Sequence, residues 1–459
     1  MDYSAQNTAL WSPIIQIGLI ALVILIANAV RRKVSFVRSS MIPTAVLAGF
    51  ILLFLKLAGI APVDEEFSSD ITYHCIALGF IALCLRVPEP NDVKGDALTG
   101  LKSGSIIVGS YMIQALVGLI ISVGLTLTVM PGLFHACGIL LPMGYGQGPG
   151  QANNVGLTYE ALGFEGGQSF GLSIAAAGYL CACTVGVFYI AYLQKKGKVK
   201  VVDHDELSGS VTIDIFQAKN ELPISESIDR ASIQVALILI VYVITYLLTA
   251  GVTGLLSDTA PGIASTINPL LWGFNFMIGA GVAVLFKLGL KKLNDAKIVK
   301  YQYQNNYLLN RISGLAFDIM IVSAISTINI SKLSGLWVPF ILMAIAGAVV
   351  TLWHLQFTCK RAYGDYYYEG LVSMYGMMTG TISSGIILLR EIDPEFKTPA
   401  ANNLVVGSSF AIALGFPLLI LVGIAPKSIT SCLIVMAIIL VYYLVLLKIT
   451  CIKGKKERD

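Results

Sequence analysis

Long apolar runs separated by short polar segments are the dominant pattern of this chain of 459 residues. A helix rises about 1.5 Å per residue, so that about 20 apolar residues cross a hydrocarbon core of about 30 Å. The runs lack the alternation of apolar and polar positions found in outer-membrane barrel strands, and they therefore predict helices. The predicted spans are eleven, at about 11–30, 41–59, 70–86, 104–130, 168–193, 231–254, 266–288, 312–330, 334–357, 403–424 and 428–448.

Two intervals between these spans fit neither a loop nor a span. Residues 131–162 and 363–391 are too apolar for loops, yet glycines and polar residues interrupt them. The pattern Tyr-Gly-x-x-x-Gly begins at Tyr145 and again at Tyr375, an offset of 230 residues. Because this offset is half of the chain, the two intervals indicate an internal repeat.

Within its repeat, each interval is preceded by four spans and followed by one. Five is an odd number, so the second copy is expected upside down relative to the first, as in secondary transporters with inverted repeats. We therefore predict an all-α membrane protein with two inverted five-helix repeats and one extra C-terminal helix. The predicted segments are a first repeat at 1–193, a cytoplasmic linker at 194–230, a second repeat at 231–425, and the extra helix with a basic tail at 426–459.

The distribution of Lys and Arg predicts the orientation of the chain. With the N-terminus outside, the cytoplasmic segments hold 28 of the 31 basic residues and the outer segments hold 3. This agrees with the positive-inside rule and predicts a multi-pass protein of the cell inner membrane with a cytoplasmic C-terminus. Both ends of the interval 131–162 then lie outside and both ends of 363–391 lie inside, so each interval is predicted to be a re-entrant hairpin.

Composition supports a membrane protein rather than a nucleic-acid partner. Charged residues make up 13% of the chain, whereas a soluble domain has about 25%. The net charge of +4 is explained by basic loops beside the spans. The cysteines show no metal-ligand spacing, and no metal site or cofactor is expected.

The glycine-rich tips of the hairpins are the predicted substrate site. Glycine permits close approach of the backbone to a ligand, and non-helical backbone at membrane depth is tolerated only inside protein or beside a wet cavity. The helix that starts at each tip offers backbone N–H groups to a carboxylate. The candidate substrate-binding residues are Gln147, Gly148, Gly150, Gln151, Asn153 and Asn154 at the first tip, and Thr379, Gly380, Thr381, Ser383 and Ser384 at the second.

A second set of candidates concerns the coupling ion. Asp318 lies within the eighth predicted span, and an intramembrane carboxylate is a functional hypothesis by default. Gly146 and Gly376 precede the tips, where carbonyl oxygens released from helices are suited to a dehydrated cation. Small residues at such spacings also occur at tight helix crossings, so helix packing remains an alternative.

The segment that begins at the second tip carries the most specific motif. It reads Thr379-Gly380-Thr381-x-x-x-Gly385 and continues with Leu388-Leu389-Arg390-x-x-Asp393-Pro394-x-Phe396-Lys397-Thr398-Pro399-Ala400-Ala401. This run resembles the second-repeat signature of the bacterial sodium:glutamate symporter family. The resemblance implies a homodimer in which a mobile domain with both hairpins moves against a scaffold, driven by sodium. The first hairpin departs from that family, since it reads Gly-Pro-Gly-Gln-Ala-Asn-Asn from Gly148.

These observations together predict a secondary active transporter. We expect sodium-coupled symport of glutamate or a related small carboxylate by an elevator-type alternating-access mechanism, in contact with the lipid bilayer. A sodium-coupled symporter of 2-hydroxycarboxylates or other organic anions is an alternative, and a channel or non-transporting membrane protein is another. No catalytic residues and no nucleotide-binding motif are found, so an enzyme is not expected.

Overall fold

The structure is a computed structural model that describes residues 3–34, 37, 42–87, 97–199, 230–299, 301–393 and 397–452. Regular secondary structure in these residues consists of helices. The predicted linker lies outside the described residues from 200 to 229, and so does the predicted basic tail from 453 onward.

Sixteen α-helices are described. They are α1 (Thr8–Lys33), α2 (Thr44–Leu57), α3 (Glu65–Leu85), α4 (Ala97–Leu127), α5 (Leu140–Gly144), α6 (Pro149–Ala161), α7 (Gly167–Lys195), α8 (Arg230–Thr259), α9 (Pro261–Gly273), α10 (Asn275–Asp295), α11 (Asn306–Ser326), α12 (Trp337–Ala362), α13 (Tyr367–Thr379), α14 (Ile382–Arg390), α15 (Ala400–Ile424) and α16 (Ile429–Thr450).

Nine of the described helices are long and apolar enough to cross a membrane, namely α1, α3, α4, α7, α8, α11, α12, α15 and α16. Each of them coincides with one of the predicted spans. The chain is therefore an all-α membrane protein, as its hydropathy pattern predicts.

Two predicted spans differ in the structure. The span predicted at 41–59 contains α2, which has only 14 residues, because the chain before Thr44 is extended at Pro43 and the helix stops short of Gly59. The prediction of one continuous span at 266–288 is wrong, because the helix breaks at Phe274 between α9 and α10. Gly273, a poor helix former, precedes this break and weakens the helix there.

The described chain divides into two compact units. The first unit comprises Met1–Asp70, Lys94–Val202 and Ile321–Asp459, and the second comprises Ile71–Val93 and Asp203–Met320. Both predicted hairpins belong to the first unit. The helices α3 and α11 each contribute residues to both units.

The central helix of the first unit is α4. Within its most apolar stretch of 18 residues, 72% of the residues are buried. Its glycines allow close packing: a Cβ on Gly104 would lie 2.6 Å from Cβ of Phe410 on α15, and a Cβ on Gly118 would collide with the carbonyl group of Gly138. Such small residues let helices approach closely in membranes, where apolar lipid offers no hydrophobic drive to associate. The N-terminal part of the first hairpin is thereby held against α4.

The C-terminal helix α16 also packs in the first unit. The hydroxyl of Tyr443 lies 3.0 Å from Nδ1 of His354 on α12, and the hydroxyl of Tyr442 donates to the carbonyl oxygen of Leu414 on α15 at 2.6 Å. Buried polar groups paired in this way fix the register of neighbouring helices.

The second unit has its own apolar core, contributed by α3, α8, α10 and α11. The buried residues of this core are Ile81, Ala82, Leu85, Ile238, Val241, Val282, Ala283 and Leu309. Within the unit, the hydroxyl of Ser313 donates to the carbonyl oxygen of Gly79 at 3.0 Å, and a Cβ on Gly79 would lie 2.6 Å from the ring of Phe317. These contacts join α3 to α11.

Candidate functional site

Each of the two predicted hairpins folds back on itself within the first unit. In the first, the ring of Phe134 lies against the ring of Tyr159 with centroids 5.2 Å apart, so the two ends of the interval 131–162 meet. In the second, a Cβ on Gly376 would lie 2.8 Å from Cα of Gly385, so α13 and α14 are antiparallel and in contact. Both intervals are therefore helix–break–helix hairpins.

The tips of these hairpins lie side by side. The break between α5 and α6 faces the break between α13 and α14. A Cβ on Gly148 would lie 3.8 Å from the carbonyl oxygen of Gly380, and no other heavy atom of the described residues, the chain neighbours apart, would be within 4 Å. Two segments that resemble each other at half-chain offset are thus brought to one place.

Gly148 shapes the first tip. Its φ of +91° lies in a region that favours glycine. Pro149 follows at the first position of α6, where its missing N–H costs no helical hydrogen bond. The N–H groups of buried Gly150 and Gln151 come next, and the first N–H groups of a helix have no acceptor in their own helix and carry a partial positive charge.

Gln151 and Ser384 are the predicted residues with the clearest capacity to bind a ligand. Gln151 is 1% exposed and Ser384 is 3% exposed. Among the described residues, neither Oε1 of Gln151 nor Oγ of Ser384 has a hydrogen-bond partner. A buried polar atom left unpaired costs about 1–3 kcal/mol, so such atoms are typically completed by a ligand, an ion or water.

The neighbouring amides of the first tip are engaged within the protein. Nε2 of Gln168 donates to Oδ1 of Asn153 at 2.9 Å and to Oγ of Ser69 at 2.7 Å. Nδ2 of Asn153 lies 3.5 Å from Oδ1 of Asn154, which is also buried. This network holds the start of α6 to the start of α7.

The remaining predicted residues differ in burial. Gln147 is half-buried at the first tip. In the second hairpin, the buried hydroxyl of Thr379 donates to the carbonyl oxygen of Tyr375 at 2.8 Å. Thr381 is the half-buried residue that precedes α14, and Ser383 is exposed. At the second tip, the groups available to a ligand are therefore the Ser384 hydroxyl and the backbone at the start of α14, and not the hydroxyls of all the predicted residues.

Gln114 on α4 lies beside both tips and is a further candidate that is not among the residues predicted from the sequence. Its Nε2 donates to Oγ1 of Thr351 at 2.8 Å and to the carbonyl oxygen of Met378 at 3.0 Å. A Cβ on Gly146 would lie 2.9 Å from Oε1 of Gln114. That Oε1 atom is buried without a hydrogen-bond partner among the described residues. Gln114 thus contacts both tips, and its only sequence signal is a polar residue inside an apolar helix.

The repeated tyrosines Tyr145 and Tyr375 are both buried beside the tips. The hydroxyl of Tyr145 donates to the carbonyl oxygen of Ala344 at 2.7 Å and lies 3.3 Å from Sγ of Cys181. The hydroxyl of Tyr375 has no partner among the described residues. The two copies of the motif are therefore not equivalent, because only the tyrosine hydroxyl of the first copy has a hydrogen-bond partner among the described residues.

The candidates for the coupling ion are not brought together within one unit. Gly146 packs against Gln114, and Gly376 packs against Gly385, so both glycines serve close packing in the first unit. Asp318 belongs to the second unit, and its side chain is exposed. Among the described residues, no cluster of three or more His, Cys, Asp or Glu side chains suited to a metal is found.

No protein-family model matches this chain, and no curated protein matches it.

Proposed function

We propose that this protein is a secondary active transporter of the bacterial sodium:glutamate symporter family, which couples sodium to the uptake of glutamate or a related small carboxylate. The observation that carries the proposal is the meeting of the two hairpin tips, Gly148 beside Gly380, next to buried polar atoms that lack a partner. The proposed site comprises both tips and Gln114.

The repeated motif supports an inverted-repeat transporter with re-entrant hairpins. Two helix breaks within one unit of a membrane protein expose backbone groups that lipid does not satisfy, so they require protein or water around them. Transporters with inverted repeats place such broken helices around the substrate at the repeat interface. We propose the same arrangement here, in an inner membrane with the N-terminus outside and the C-terminus in the cytoplasm.

The polar groups at the tips suit a carboxylate together with a cation. The N–H groups at the starts of α6 and α14 attract an anion through hydrogen bonds and the helix dipole. The free oxygen atoms of Gln114 and Gln151 accept hydrogen bonds or coordinate a cation, but they repel an anion. A site that holds both kinds of group favours binding of a carboxylate with sodium over binding of the carboxylate alone.

The division of the chain supports an elevator-type mechanism. One compact unit contains both tips, and the other contains most of α8 to α11. We propose that the first unit carries the substrate and that the second acts as the scaffold. In this scheme the scaffold also joins two copies of the chain in a homodimer.

Ligand-dependent stability tests this proposal. The purified full-length protein is unfolded by heat in sodium and in potassium, with glutamate, other amino acids, 2-hydroxycarboxylates and dicarboxylates added separately. A ligand present at 100 times its Kd stabilises the folded state by about 2.7 kcal/mol. We expect a small carboxylate to raise the melting temperature in sodium and to have little effect in potassium.

Other results of the same unfolding experiment would change or contradict the proposed substrate and coupling ion. Stabilisation by 2-hydroxycarboxylates alone would replace glutamate by that substrate class. Equal stabilisation in sodium and potassium would contradict sodium coupling. If no carboxylate raised the melting temperature in either salt, the proposed substrate site would be wrong.

A further inference from the structure

A cleft outside the proposed substrate site opens beside the C-terminal turns of α12. Its volume is about 520 Å³, and it is lined by Trp353, Gln356, Phe357, Lys360 and Arg361. Trp353 is 57% exposed although α12 is one of the membrane-crossing helices. Aromatic residues with basic neighbours at the end of such a helix are typical of the headgroup level of a bilayer.

The five lining residues belong to α12, and one of them, Gln356, joins α12 to aromatic residues at the end of α7. Nε2 of Gln356 donates to the hydroxyl of Tyr189 at 3.2 Å. The ring of Tyr189 stacks on that of Tyr192 with centroids 6.2 Å apart, and Nζ of Lys196 lies 4.8 Å from the Tyr192 centroid. Aromatic and cationic groups at the end of α7 are therefore linked through Gln356 to the residues that line the cleft.

Arg361 is oriented by its own helix. The central carbon of its guanidinium group lies 3.5 Å from the centroid of the Phe357 ring, and Nη1 donates to the carbonyl oxygen of Phe357 at 2.7 Å. This cation–π contact fixes the guanidinium plane and uses one N–H group for the helix. The other N–H groups remain available to an oxygen-rich anion in the fork geometry that phosphate accepts.

The charge of this surface is predominantly positive. The exposed cations are Lys195, Lys196, Lys360 and Arg361, and the acidic residues that follow α12 are Asp365 and Glu369. Basic anchors at helix ends alone would satisfy the positive-inside rule. The oriented guanidinium and a cleft that also presents Trp353 and Phe357 go beyond what an anchor needs.

We propose that this cleft binds the phosphodiester headgroup of an anionic phospholipid. Lys360 and Arg361 hold the phosphate oxygens, and Trp353 and Phe357 contact the glycerol and the first part of the acyl chains. Basic pockets at the membrane surface between helices recognise anionic headgroups in this way. A zwitterionic lipid brings its own cation to the headgroup, so it binds more weakly to a basic cleft.

Lipid binding to the purified full-length protein tests this proposal. Native mass spectrometry in detergent measures the affinity for phosphatidylglycerol and phosphatidylcholine, with inorganic phosphate as a competitor. The variant Lys360→Gln/Arg361→Gln removes the proposed ligands of the phosphate. The control variant Lys291→Gln/Lys292→Gln removes an exposed basic pair at the end of α10, far from this cleft in the chain.

We expect phosphatidylglycerol to bind the wild type and the control variant with equal affinity. Its affinity for Lys360→Gln/Arg361→Gln should be at least about tenfold lower. Equal affinity of that double variant would overturn the proposal. So would equal binding of phosphatidylcholine to the wild type, since the headgroup charge would then not be recognised. Displacement of the lipid by equimolar inorganic phosphate would show a free-phosphate site instead.

A fluorescence measurement covers the case in which the double variant fails to fold. The chain has four tryptophans, so Trp11→Phe/Trp272→Phe/Trp337→Phe leaves Trp353 as the sole reporter. Brominated phosphatidylglycerol is expected to quench this protein saturably at low lipid fractions, and brominated phosphatidylcholine only in proportion to its amount. Identical quenching curves for the two lipids would contradict the proposal.

Discussion

Gln151 and Asn153 lie two positions apart on α6, and the structure uses their amides differently. The amide oxygen of Asn153 accepts a hydrogen bond from Gln168, whereas Oε1 of Gln151 has no partner among the described residues. Residues that bind a ligand and residues that hold the fold are expected to respond differently to truncation. This pair therefore separates the two roles on one helix.

For Gln151→Ala, we expect no loss of ligand-free stability, because the truncation removes a buried polar atom that has no partner. The same substitution at Asn153 removes one of the two acceptors of the Gln168 amide, leaving only Oγ of Ser69 among the described residues, and is expected to cost about 1 kcal/mol. Thermal unfolding of both variants, with and without substrate, measures the two effects. Substrate-dependent stabilisation should fall only weakly in Asn153→Ala and strongly in Gln151→Ala; the reverse order would contradict the assignment.

Gln114→Leu tests the residue that contacts both tips. The substitution removes the hydrogen bonds to Thr351 and to the carbonyl oxygen of Met378. We expect a loss of about 1–3 kcal/mol in the free energy of unfolding and weaker substrate binding. Ser110→Ala is the matched control, because the buried Ser110 hydroxyl donates within α4, to the carbonyl oxygen of Ile106. Equal effects of the two substitutions on stability and substrate binding would contradict the assignment of Gln114 to the proposed site.

The role of Gln114 was beyond the reach of sequence reasoning. Its contact with Met378 joins residues 264 positions apart, and no local motif signals such a contact. By contrast, the glycines of the tips and their repeat are visible in the sequence, because a helix break needs them locally. The burial of Gln151 and the engagement of Asn153 depend on the packing of α6 against α7, which a single sequence does not specify.

At the scale of elements, the packing of α4 against the first hairpin depends on a glycine that allows backbone contact. A Cβ on Gly118 would collide with the carbonyl group of Gly138, whereas a Cβ on Gly124 would have no described heavy atom within 4 Å outside its chain neighbours and the nearby backbone of its own helix. Both glycines lie on the same helix, so they differ in packing and not in helical context.

Gly118→Ala is therefore expected to lower the melting temperature and to displace the first hairpin, with loss of substrate binding. Gly124→Ala is expected to be neutral or to stabilise α4 by up to about 1 kcal/mol, since alanine favours helix. Circular dichroism melting in detergent compares the two variants. If both alanines were equally tolerated, the close contact between α4 and the hairpin would be wrong.

Asp393, just after α14, is hydrogen-bonded to the residues that precede α15. Its carboxylate accepts hydrogen bonds from the backbone N–H groups of Lys397 and Thr398, both at 2.9 Å, and from the hydroxyl of Thr398 at 2.6 Å. Burial acts to raise the pKa of Asp393, but these hydrogen bonds outweigh it and hold the pKa below its ordinary value. The ionised form of Asp393 is therefore the one that stabilises these contacts with Lys397 and Thr398.

This lowered pKa gives a pH-dependent prediction. The stabilisation is fully present above the ordinary aspartate pKa of about 3.9 and is lost as the pH falls through the lower pKa of the folded protein. Asp393→Ala is expected to be less stable than the wild type at pH 7, and the difference should shrink in strongly acidic solution. A difference in melting temperature that stayed constant down to pH 3 would contradict this account.

The hydropathy pattern predicted element positions well where the helices are long and apolar. The nine described helices that are long and apolar enough to cross a membrane coincide with predicted spans, because length and apolar composition are both visible in the sequence. The pattern failed between α9 and α10, where the apolar run continues across a local break at Phe274. An apolar run reports burial in lipid or protein, but it does not report the backbone dihedral angles of a single residue.

At the scale of the whole molecule, the two-unit division was not accessible from hydropathy. The second unit is formed by two chain segments, Ile71–Val93 and Asp203–Met320, and the first unit surrounds them in sequence. The sequence predicts two halves of equal length, whereas the contacts group both hairpins together. This grouping supports the proposed separation into a substrate-carrying unit and a scaffold.

Uptake into proteoliposomes tests the central claim, sodium-coupled transport through the hairpin tips, most directly. Purified protein is reconstituted with potassium inside, and labelled glutamate or the carboxylate identified by thermal stabilisation is added outside in sodium or in choline. Parallel vesicles contain Gln151→Ala and the control Ser110→Ala. Measurement of uptake against time separates a carrier from a channel by its rate and saturation.

We expect saturable accumulation of the carboxylate above its equilibrium level with an inward sodium gradient, and little uptake in choline. Uptake should persist in Ser110→Ala and fall at least about tenfold in Gln151→Ala. Accumulation driven by a proton gradient without sodium, or wild-type uptake by Gln151→Ala, would contradict the account.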